Sequence, residues 1–172
     1  MQNWRAMIAP HSLDIRTVVV LFHGTRFLLL RRANWKHFAP NRWTGLGGKV
    51  ESEELGDLEA SALRETFEET DLQPSEVSRL RLHRTLTFYH PDEGLVCLLY
   101  FAGTTTTDRT PACAEGSLAW LSAADLARLD LIENTGQVLP LLIEDVQTRN
   151  ERVHCGVAHY DDHGHLKRIV FD

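Results

Sequence analysis

The sequence predicts an α/β protein of the α+β type, with a mixed central β-sheet between helices in an α/β/α sandwich. Two observations favour this fold: strand-like segments outnumber helical ones, and the helices do not alternate regularly with strands as in a doubly wound parallel sheet. A chain of 172 residues suits one domain, and we expect residues 1–172 to form it. Hydrophobic residues make up 43% and charged residues 24% of the chain, as in ordinary globular proteins.

The first elements are predicted to form a β-hairpin. Residues 15–23 are β-branched and apolar, Gly24 indicates a turn, and residues 27–31 continue as a partner strand. Residues 32–42 are polar and aromatic and contain a proline, which predicts a loop. Residues 43–51 are rich in glycine and are expected to be short and extended.

The clearest helix is predicted over residues 57–70, where Asp57 can cap the first turn. Its apolar residues recur at helical spacing, and they are Leu58, Ala62, Leu63 and Phe67.

The rest of the chain is predicted to contain five strands and two helices. The strands are 77–89, 95–102, 118–121, 153–160 and 166–171, with turns at 91–94 and 161–165. A short helix is predicted at 123–128, where Ser122 and Asp125 resemble a capping box. A second helix is predicted at 137–149, with Pro140 in its first turn, the one place where a helix tolerates proline well.

The charge balance restricts the kind of ligand. There are 18 basic and 24 acidic residues, a net charge of −6, and an acidic surface repels phosphate backbones. We therefore expect no polymeric nucleic acid as a partner. A small anionic substrate remains compatible, because a bound cation neutralises acidic groups locally.

The remaining composition predicts a cytoplasmic protein without a membrane partner. Cys97, Cys113 and Cys155 are odd in number and lack metal-type spacing, which is typical of thiols in a reducing compartment. The longest apolar run, residues 17–22, is too short to span a bilayer, and residues 1–12 do not resemble a secretory signal.

Three glutamates in the predicted helix form the most informative pattern. Glu65, Glu68 and Glu69 stand at positions i, i+3 and i+4, so their carboxylates share one helix face. Carboxylates this close repel one another unless a cation is bound, and oxygen ligands suit a hard divalent ion. Such a face is often only solvated, with Arg64 and Glu68 as a surface ion pair. The preceding glycines, which allow close backbone approach, and Lys49 beside them favour a site.

This segment resembles the signature of the Nudix hydrolase family, G-x5-E-x7-R-E-U-x-E-E-x-G-U, where U is apolar. The matching residues are Gly48, Arg64, Glu65, Glu68, Glu69 and Leu72. The spacing from Gly48 to Arg64 is two residues longer than in the family, which indicates an insertion within residues 52–56. Glu54, or else Glu53, then corresponds to the first glutamate of the signature.

Two further positions depart from the signature. Thr66 stands where the family has an apolar residue, and Asp71 replaces the last glycine. The insertion and Asp71 lie at the ends of the predicted helix and leave its acidic face untouched, so they concern loop geometry more than catalysis.

Beyond the signature, the chain resembles the MutT-like branch that hydrolyses oxidised-purine nucleoside triphosphates. The supporting segments are residues 28–32 and 38–43, Glu115 five residues before Trp120, residues 139–142 and the C-terminal strands. In that branch a pocket binds the base, and the resemblance assigns Thr44 and Asn134 to it. Phe38, Trp43 and Ile132 are further candidates for the pocket, although each fits the core or the surface equally well. Asn134 and Thr135 stand where acidic residues are typical, and an asparagine amide can still read a purine edge. Arg32 and Lys49 are candidates for the phosphates.

The resemblance implies a Nudix fold and hydrolysis of a nucleoside diphosphate linked to another group X, with Mg²⁺ or Mn²⁺. Glu65, Glu69, the Gly47 carbonyl and Glu68 are the implied metal ligands, and Arg64 is expected to hold the metal face in place. Either Glu68 or Glu115 would orient or deprotonate the attacking water. The partner is then a small nucleotide such as 8-oxo-dGTP, and we expect a monomer or a homodimer.

Two alternatives stay open at this point. Another diphosphate, such as ADP-ribose, a dinucleoside polyphosphate or a capped RNA end, would use the same residues, although the acidic charge disfavours RNA. A domain that binds a nucleotide without hydrolysing it is disfavoured because all three helix glutamates and Arg64 are retained. The histidines at 159, 163 and 165 lack a zinc spacing and predict a polar turn.

Overall fold

The strands and helices follow from a computed structural model, which describes residues 13–90, 93–161 and 163–172. The strands are β1 (Leu13–His23), β2 (Arg26–Arg32), β3 (Trp43–Thr44), β4 (Val77–His90), β5 (Gly94–Thr105), β6 (Gly116–Leu121), β7 (His154–Tyr160) and β8 (Leu166–Phe171). The α-helices are α1 (Leu58–Thr70) and α2 (Glu133–Thr148), and short 3-10 helices occur at Ser52–Glu54, Pro74–Glu76 and Ala123–Arg128. Three predictions fall outside the described residues. They concern the absence of a secretory signal in residues 1–12, the turn residues Pro91 and Asp92, and Asp162 in the second turn.

The strands form one mixed sheet in the order β3-β2-β1-β5-β4-β7-β8, and β6 pairs with β2. The β1–β5 and β4–β7 pairs are parallel, and the other strand pairs are antiparallel. The predicted mixed sheet is therefore confirmed.

The helices cover opposite faces of this sheet. On β1, Val19 and Leu21 pack in the cluster that includes Ala62 of α1, whereas Val20 and Phe22 pack in the cluster that includes Leu142 of α2. Successive side chains of a strand point to opposite faces, so a strand buried on both faces reads as a continuous apolar run. This confirms the α/β/α sandwich.

The glycine-rich segment, residues 45–50, runs antiparallel to β1. The Leu46 and Val19 peptide groups exchange hydrogen bonds of 2.7 and 2.9 Å, and the Thr17 N–H donates to the Gly48 carbonyl at 2.9 Å. These bonds fix the backbone of this segment beside α1.

The start of α2 was predicted incorrectly. The helix begins at Glu133 instead of residue 137, and Pro140 lies inside it rather than in the first turn. Asn134, Thr135 and Gly136 are weak helix formers, but tertiary contacts outweigh their propensity here. The Ile132 N–H donates to the Trp43 carbonyl at 3.0 Å and the Gly136 N–H to the Ile132 carbonyl at 2.8 Å.

The C-terminal hairpin turns where the sequence predicts it. The Asp161 carboxylate accepts bonds from the His163 N–H at 3.0 Å and the His165 N–H at 2.8 Å. Among the described residues, no helix is long and apolar enough to cross a membrane.

Candidate functional site

The acidic face of α1 is positioned by the two ends of the helix. At the start, the Asp57 carboxylate accepts a 3.0 Å bond from the Ala60 N–H, which satisfies one of the free amides of the first turn. At the other end, Asp71 adopts a left-handed conformation with φ 54°, and its N–H donates to the Phe67 carbonyl at 2.8 Å. Because Ala62 packs against the sheet, the glutamate face meets the glycine-rich segment.

Glu69 is the most deeply buried carboxylate of this face, with 5% of the residue exposed. It accepts a 2.9 Å bond from the Gly47 N–H, but burial still raises the pKa of Glu69 to about 8. Gly47 has φ +130°, and a Cβ atom there would lie 2.2 Å from the Thr17 carbonyl oxygen. Only glycine brings a peptide group this close to Glu69.

Glu65 contacts the next glycine. A Cβ atom on Gly48 would lie 2.6 Å from a carboxylate oxygen of Glu65. Burial raises the pKa of Glu65, while the neighbouring Arg64 guanidinium acts in the opposite direction.

Arg64 links the glycine segment to the acidic face. Its guanidinium forms bonds of 2.6 and 2.9 Å with Glu54, one of 2.8 Å with Glu65 and longer ones of 3.3 Å with Glu68. It also donates to the Lys49 carbonyl at 3.1 Å. Of the two candidates left open by the insertion, Glu54 is therefore the partner of Arg64, and this contact lowers the pKa of Glu54 to about 2.

Glu115 reaches the same cleft from the loop before β6. It forms an ion pair with Lys36 and lines a cavity of about 430 Å³ together with Gly47, Gly48, Lys49, Glu65, Glu68, Glu69, Cys113 and Ala114. The structure thus brings the predicted acidic residues, the glycines and Lys49 into one cleft.

Comparison with known proteins shows to which family this fold and acidic cleft belong. A family model of the NUDIX domain matches residues 13–142. The chain belongs to the NUDIX family. NUDIX hydrolases act on nucleoside diphosphates linked to another group, and the predicted Nudix fold and hydrolase class are thereby confirmed. A comparison with curated protein sequences gave no match.

Solved structures with the same fold include MutT proteins and ADP-ribose-binding proteins. A mutator MutT protein from Bacillus halodurans has a TM-score of 0.73 and 21% identity, covering 92% of this chain and 97% of that one. The NUDIX domain of Shewanella oneidensis NrtR, in complex with ADP ribose, has a TM-score of 0.58 and 18% identity, covering 87% and 99%. A Francisella tularensis bifunctional NMN adenylyltransferase/ADP ribose pyrophosphatase, with AMP and a Mn ion, has a TM-score of 0.61 and 16% identity, covering 84% and 45%. Identities this low relate the folds alone.

Both departures from the NUDIX signature are accommodated locally. Thr66 is 1% exposed, and its hydroxyl donates to the Ala62 carbonyl at 2.8 Å, so no polar group of its side chain is left unpaired. Asp71 takes the left-handed conformation that glycine adopts most easily.

A second cavity of about 330 Å³ adjoins the acidic cleft of this NUDIX domain. The two share Cys113 and Ala114, and the second is otherwise lined by Arg31, Arg32, Ala33, Asn34, Trp35, Asn41, Gly116 and Ser117. Among the described residues, its lining holds two arginines and no carboxylate. Of the predicted substrate residues, Arg32 lies here, and its Nε donates to the Phe38 carbonyl at 2.9 Å.

The residues predicted to bind the base lie elsewhere. Thr44 and Thr135 place their hydroxyl oxygens 3.4 Å apart, and the side-chain Oδ1 of Asn134 accepts from the Thr135 N–H at 2.7 Å. Three of these predicted residues therefore meet at the start of α2, where Ile132 precedes the helix, whereas Phe38 is 60% exposed beside Arg32. Neither cavity is lined by Phe38, Thr44, Ile132 or Asn134.

Lys36 and Arg31 were not predicted from the sequence. A lysine in a loop of irregular structure has no spacing that relates it to an acidic residue 79 positions away. Lys36 and Glu115 come into contact because the loop after β2 packs against the loop before β6.

The donors in the cleft suit a divalent cation. Carboxylates and a peptide carbonyl are the hard oxygen ligands that Mg²⁺ prefers, and the buried Glu69 forms no ion pair within the part of the chain that the structure describes. Within residues 13–90, 93–161 and 163–172, however, no three His, Cys, Asp or Glu side chains are grouped closely enough to hold a metal ion. Arg64 engages Glu65 and Glu68, and Lys36 engages Glu115.

Proposed function

We propose that this NUDIX hydrolase cleaves a phosphoanhydride bond of a nucleoside di- or triphosphate with Mg²⁺ or Mn²⁺ as cofactor, and that its role is nucleotide-pool sanitation of the 8-oxo-dGTP type. The observation that carries the proposal is the buried Glu69 carboxylate against the Gly47 peptide. A buried carboxylate without a counter-ion is unfavourable, and a bound cation would remove that penalty.

Glu65, Glu69 and the Gly47 carbonyl would hold the metal, with a contribution from Glu68. The Gly47 carbonyl accepts no backbone hydrogen bond from the described residues, so its lone pairs are available. When bound, the metal would neutralise the diphosphate and lower the pKa of a coordinated water.

The protein side chains supply positioning and proton transfer. Arg64 holds Glu65 and Glu68 through contacts braced by Glu54. Glu68, whose side chain is 54% exposed, and Glu115, which lines the same cavity, are the two candidates to orient or deprotonate the attacking water.

The substrate residues divide between two regions. Lys49 and Arg32 would bind phosphates, since Lys49 supplies positive charge beside the carboxylates of the acidic cleft and Arg32 supplies it in the adjoining cavity. Thr44, Ile132 and Asn134 at the start of α2, with Phe38, would bind the base. Asn134 is held by the Thr135 N–H, which fixes its amide for reading a purine edge.

ADP-ribose or a dinucleoside polyphosphate is the second candidate substrate. Two of the similar folds carry ADP-ribose in their names, one as a bound ligand and one as the substrate of a pyrophosphatase. The second cavity has room for a group beyond the diphosphate. A regulatory domain that only binds a nucleotide is a weaker alternative, because binding alone needs neither three glutamates nor Arg64.

We further propose a cytoplasmic protein that acts as a monomer or homodimer on small nucleotides. The net charge of −6 supports the absence of a nucleic-acid polymer as partner.

A substrate panel with Mg²⁺ tests the proposal. Oxidised and normal nucleoside triphosphates, ADP-ribose and a dinucleoside polyphosphate are incubated with the protein, with and without EDTA, and phosphate and pyrophosphate release is measured. We expect turnover only with the metal and fastest with an oxidised purine nucleotide. No turnover on any nucleotide would contradict the enzymatic proposal, whereas preference for ADP-ribose would replace the sanitation role.

The base-binding assignment has its own test. Asn134→Ala is expected to change the ratio of rates between purine bases far more than the mean rate. An equal loss on every base would remove Asn134 from the base pocket.

A further inference from the structure

Lys36 ties the two loops that border the acidic cleft. It lies between β2 and β3, and its ammonium group forms an ion pair with the Glu115 carboxylate. The Ala33 N–H donates to the Glu115 carbonyl at 2.8 Å, so one loop holds both the backbone and the side chain of Glu115.

The environment of Lys36 keeps its ammonium at the cleft. Its side chain is 21% exposed, and the ammonium lies 4.9 Å from the centre of the Trp35 ring, a distance at which a cation is attracted to the ring face. Trp35 lines the second cavity and Glu115 the first. Lys36 therefore contacts one lining residue of each cavity.

Lys36 and Arg64 differ in the carboxylates with which they form ion pairs. Arg64 is anchored by its two bonds to Glu54, which lies outside the implied metal ligands. For Lys36, Glu115 is the one carboxylate partner among the described residues. Its positive charge also reaches the buried Glu69, where it opposes the rise in the pKa that burial causes.

We propose that Lys36 is the counter-ion of Glu115, that it holds Glu115 apart from the glutamates of α1, and that a divalent cation bound by those glutamates competes with Lys36 for the Glu115 carboxylate. This inference rests on the proposed metal site. Lys36 is a positioning residue, because it acts on the site through Glu115. Its positive charge lowers the affinity of the cleft for a second cation, since like charges a few ångströms apart repel.

Mn²⁺ titration followed by electron paramagnetic resonance, with no nucleotide present, tests this role. Wild type is compared with Lys36→Met, which removes the charge at similar length, and Lys36→Arg, which keeps it. We expect Lys36→Met to bind Mn²⁺ about tenfold more tightly and Lys36→Arg to bind like wild type. If Lys36 only stabilised the loop, Lys36→Met would weaken Mn²⁺ binding instead of tightening it, because a damaged loop binds the metal less well. Lys167→Met, whose lysine pairs with Asp161 in the distant hairpin, should not change the affinity.

The same variants in a Glu115→Gln background show whether the effect passes through Glu115. The tightening caused by Lys36→Met should shrink there to a few-fold at most. Full tightening in that background would overturn the competition for Glu115. Unchanged or weaker Mn²⁺ binding by Lys36→Met, beside a wild type that binds, would overturn the role of Lys36 and leave the metal site standing. If neither binds Mn²⁺, the proposed metal site fails and the inference fails with it.

Discussion

At Gly48, the difference between a hydrogen and a methyl group decides where the Glu65 carboxylate can lie. A Cβ atom there would come within 2.6 Å of Glu65, whereas a Cβ atom on Gly56 would meet nothing within 4 Å. We predict that Gly48→Ala lowers kcat/KM by about 10- to 100-fold, because a displacement of 1 Å in a catalytic group has effects of this size. Gly56→Ala is the matched control and should keep the wild-type rate. Steady-state kinetics check both, and a fully active Gly48→Ala would contradict the contact.

A second residue-scale prediction concerns His83, a 7% exposed side chain on β4. Its Nδ1 has no hydrogen-bond partner among the described residues, and burial lowers the pKa of His83 below the ordinary 6.5. The unfolded chain therefore binds more protons as the pH falls through 6.5, so the free energy of unfolding should decrease on acidification from that point.

Because only one proton is taken up, the free energy of unfolding should change by at most about 1.4 kcal/mol per pH unit. Denaturant unfolding between pH 7 and pH 5 checks it. His83→Gln should flatten the pH dependence. An identical slope in wild type and His83→Gln would refute the assignment.

At the scale of elements, a buried ion pair joins β4 to α2. Arg84 and Asp145 are 8% and 4% exposed and 2.7 Å apart, and the guanidinium also stacks on the Phe171 ring of β8 at 4.9 Å. We predict that Arg84→Met destabilises the protein by about 3–5 kcal/mol, because it leaves the Asp145 carboxylate buried without its cation.

The matched control is Arg81→Met on the same strand. Arg81 pairs with Glu151 at 3.4 Å, with both side chains more than half exposed, and an exposed pair contributes at most about 1 kcal/mol. Chemical denaturation of both variants checks the contrast. Similar losses in the two variants would contradict the importance of burial.

How well the elements could be predicted depended on whether local pattern or tertiary contact determines them. The α1 helix has apolar residues at helical spacing and an Asp57 cap, both readable from sequence. The first turn of α2 contains Asn134 and Gly136, and the contact between Ile132 and the Trp43 carbonyl is what makes it helical. No local pattern contains that information.

The same distinction applies to the candidate site. Glu65, Glu68 and Glu69 share a helix face by spacing alone, so the acidic face was predictable. The choice of Glu54 over Glu53 as partner of Arg64 depends on the geometry of the inserted turn, and the contact between Lys36 and Glu115 depends on the packing of two loops.

At the scale of the whole molecule, the sheet continues beyond the family match, which ends at residue 142. The β7 strand pairs in parallel with β4, and Ala158 of β7 packs in one cluster with Val138 of α2 and Leu86 of β4. We therefore propose that residues 13–172 unfold as one cooperative unit.

Two probes at opposite ends of the sheet check this prediction. Tryptophan fluorescence reports on the four tryptophans of the chain, of which Trp43 and Trp120 lie in β3 and β6, and amide exchange by mass spectrometry reports on β7. The fluorescence change and the loss of amide protection in β7 should have the same midpoint in denaturant. Loss of protection in β7 at a lower concentration would show that the C-terminal hairpin unfolds separately.

The net charge of −6 is unevenly distributed over the molecule. Part of the negative charge is gathered in the cleft between α1 and Glu115, where Arg64 and Lys36 partly balance it. An acidic protein can accept a phosphate substrate when cations neutralise this cleft.

The most direct test of the central proposal, that the acidic face of α1 binds the metal used for hydrolysis, compares two glutamates of the same helix. Glu69→Gln keeps the shape of the side chain that accepts the Gly47 N–H but removes the charge, and Glu59→Gln makes the same change at an exposed position in the first turn. With Mg²⁺ and the best nucleotide substrate, we predict that Glu69→Gln lowers kcat/KM at least ~100-fold, while Glu59→Gln matches wild type. Equal activity of the two variants would contradict the proposal.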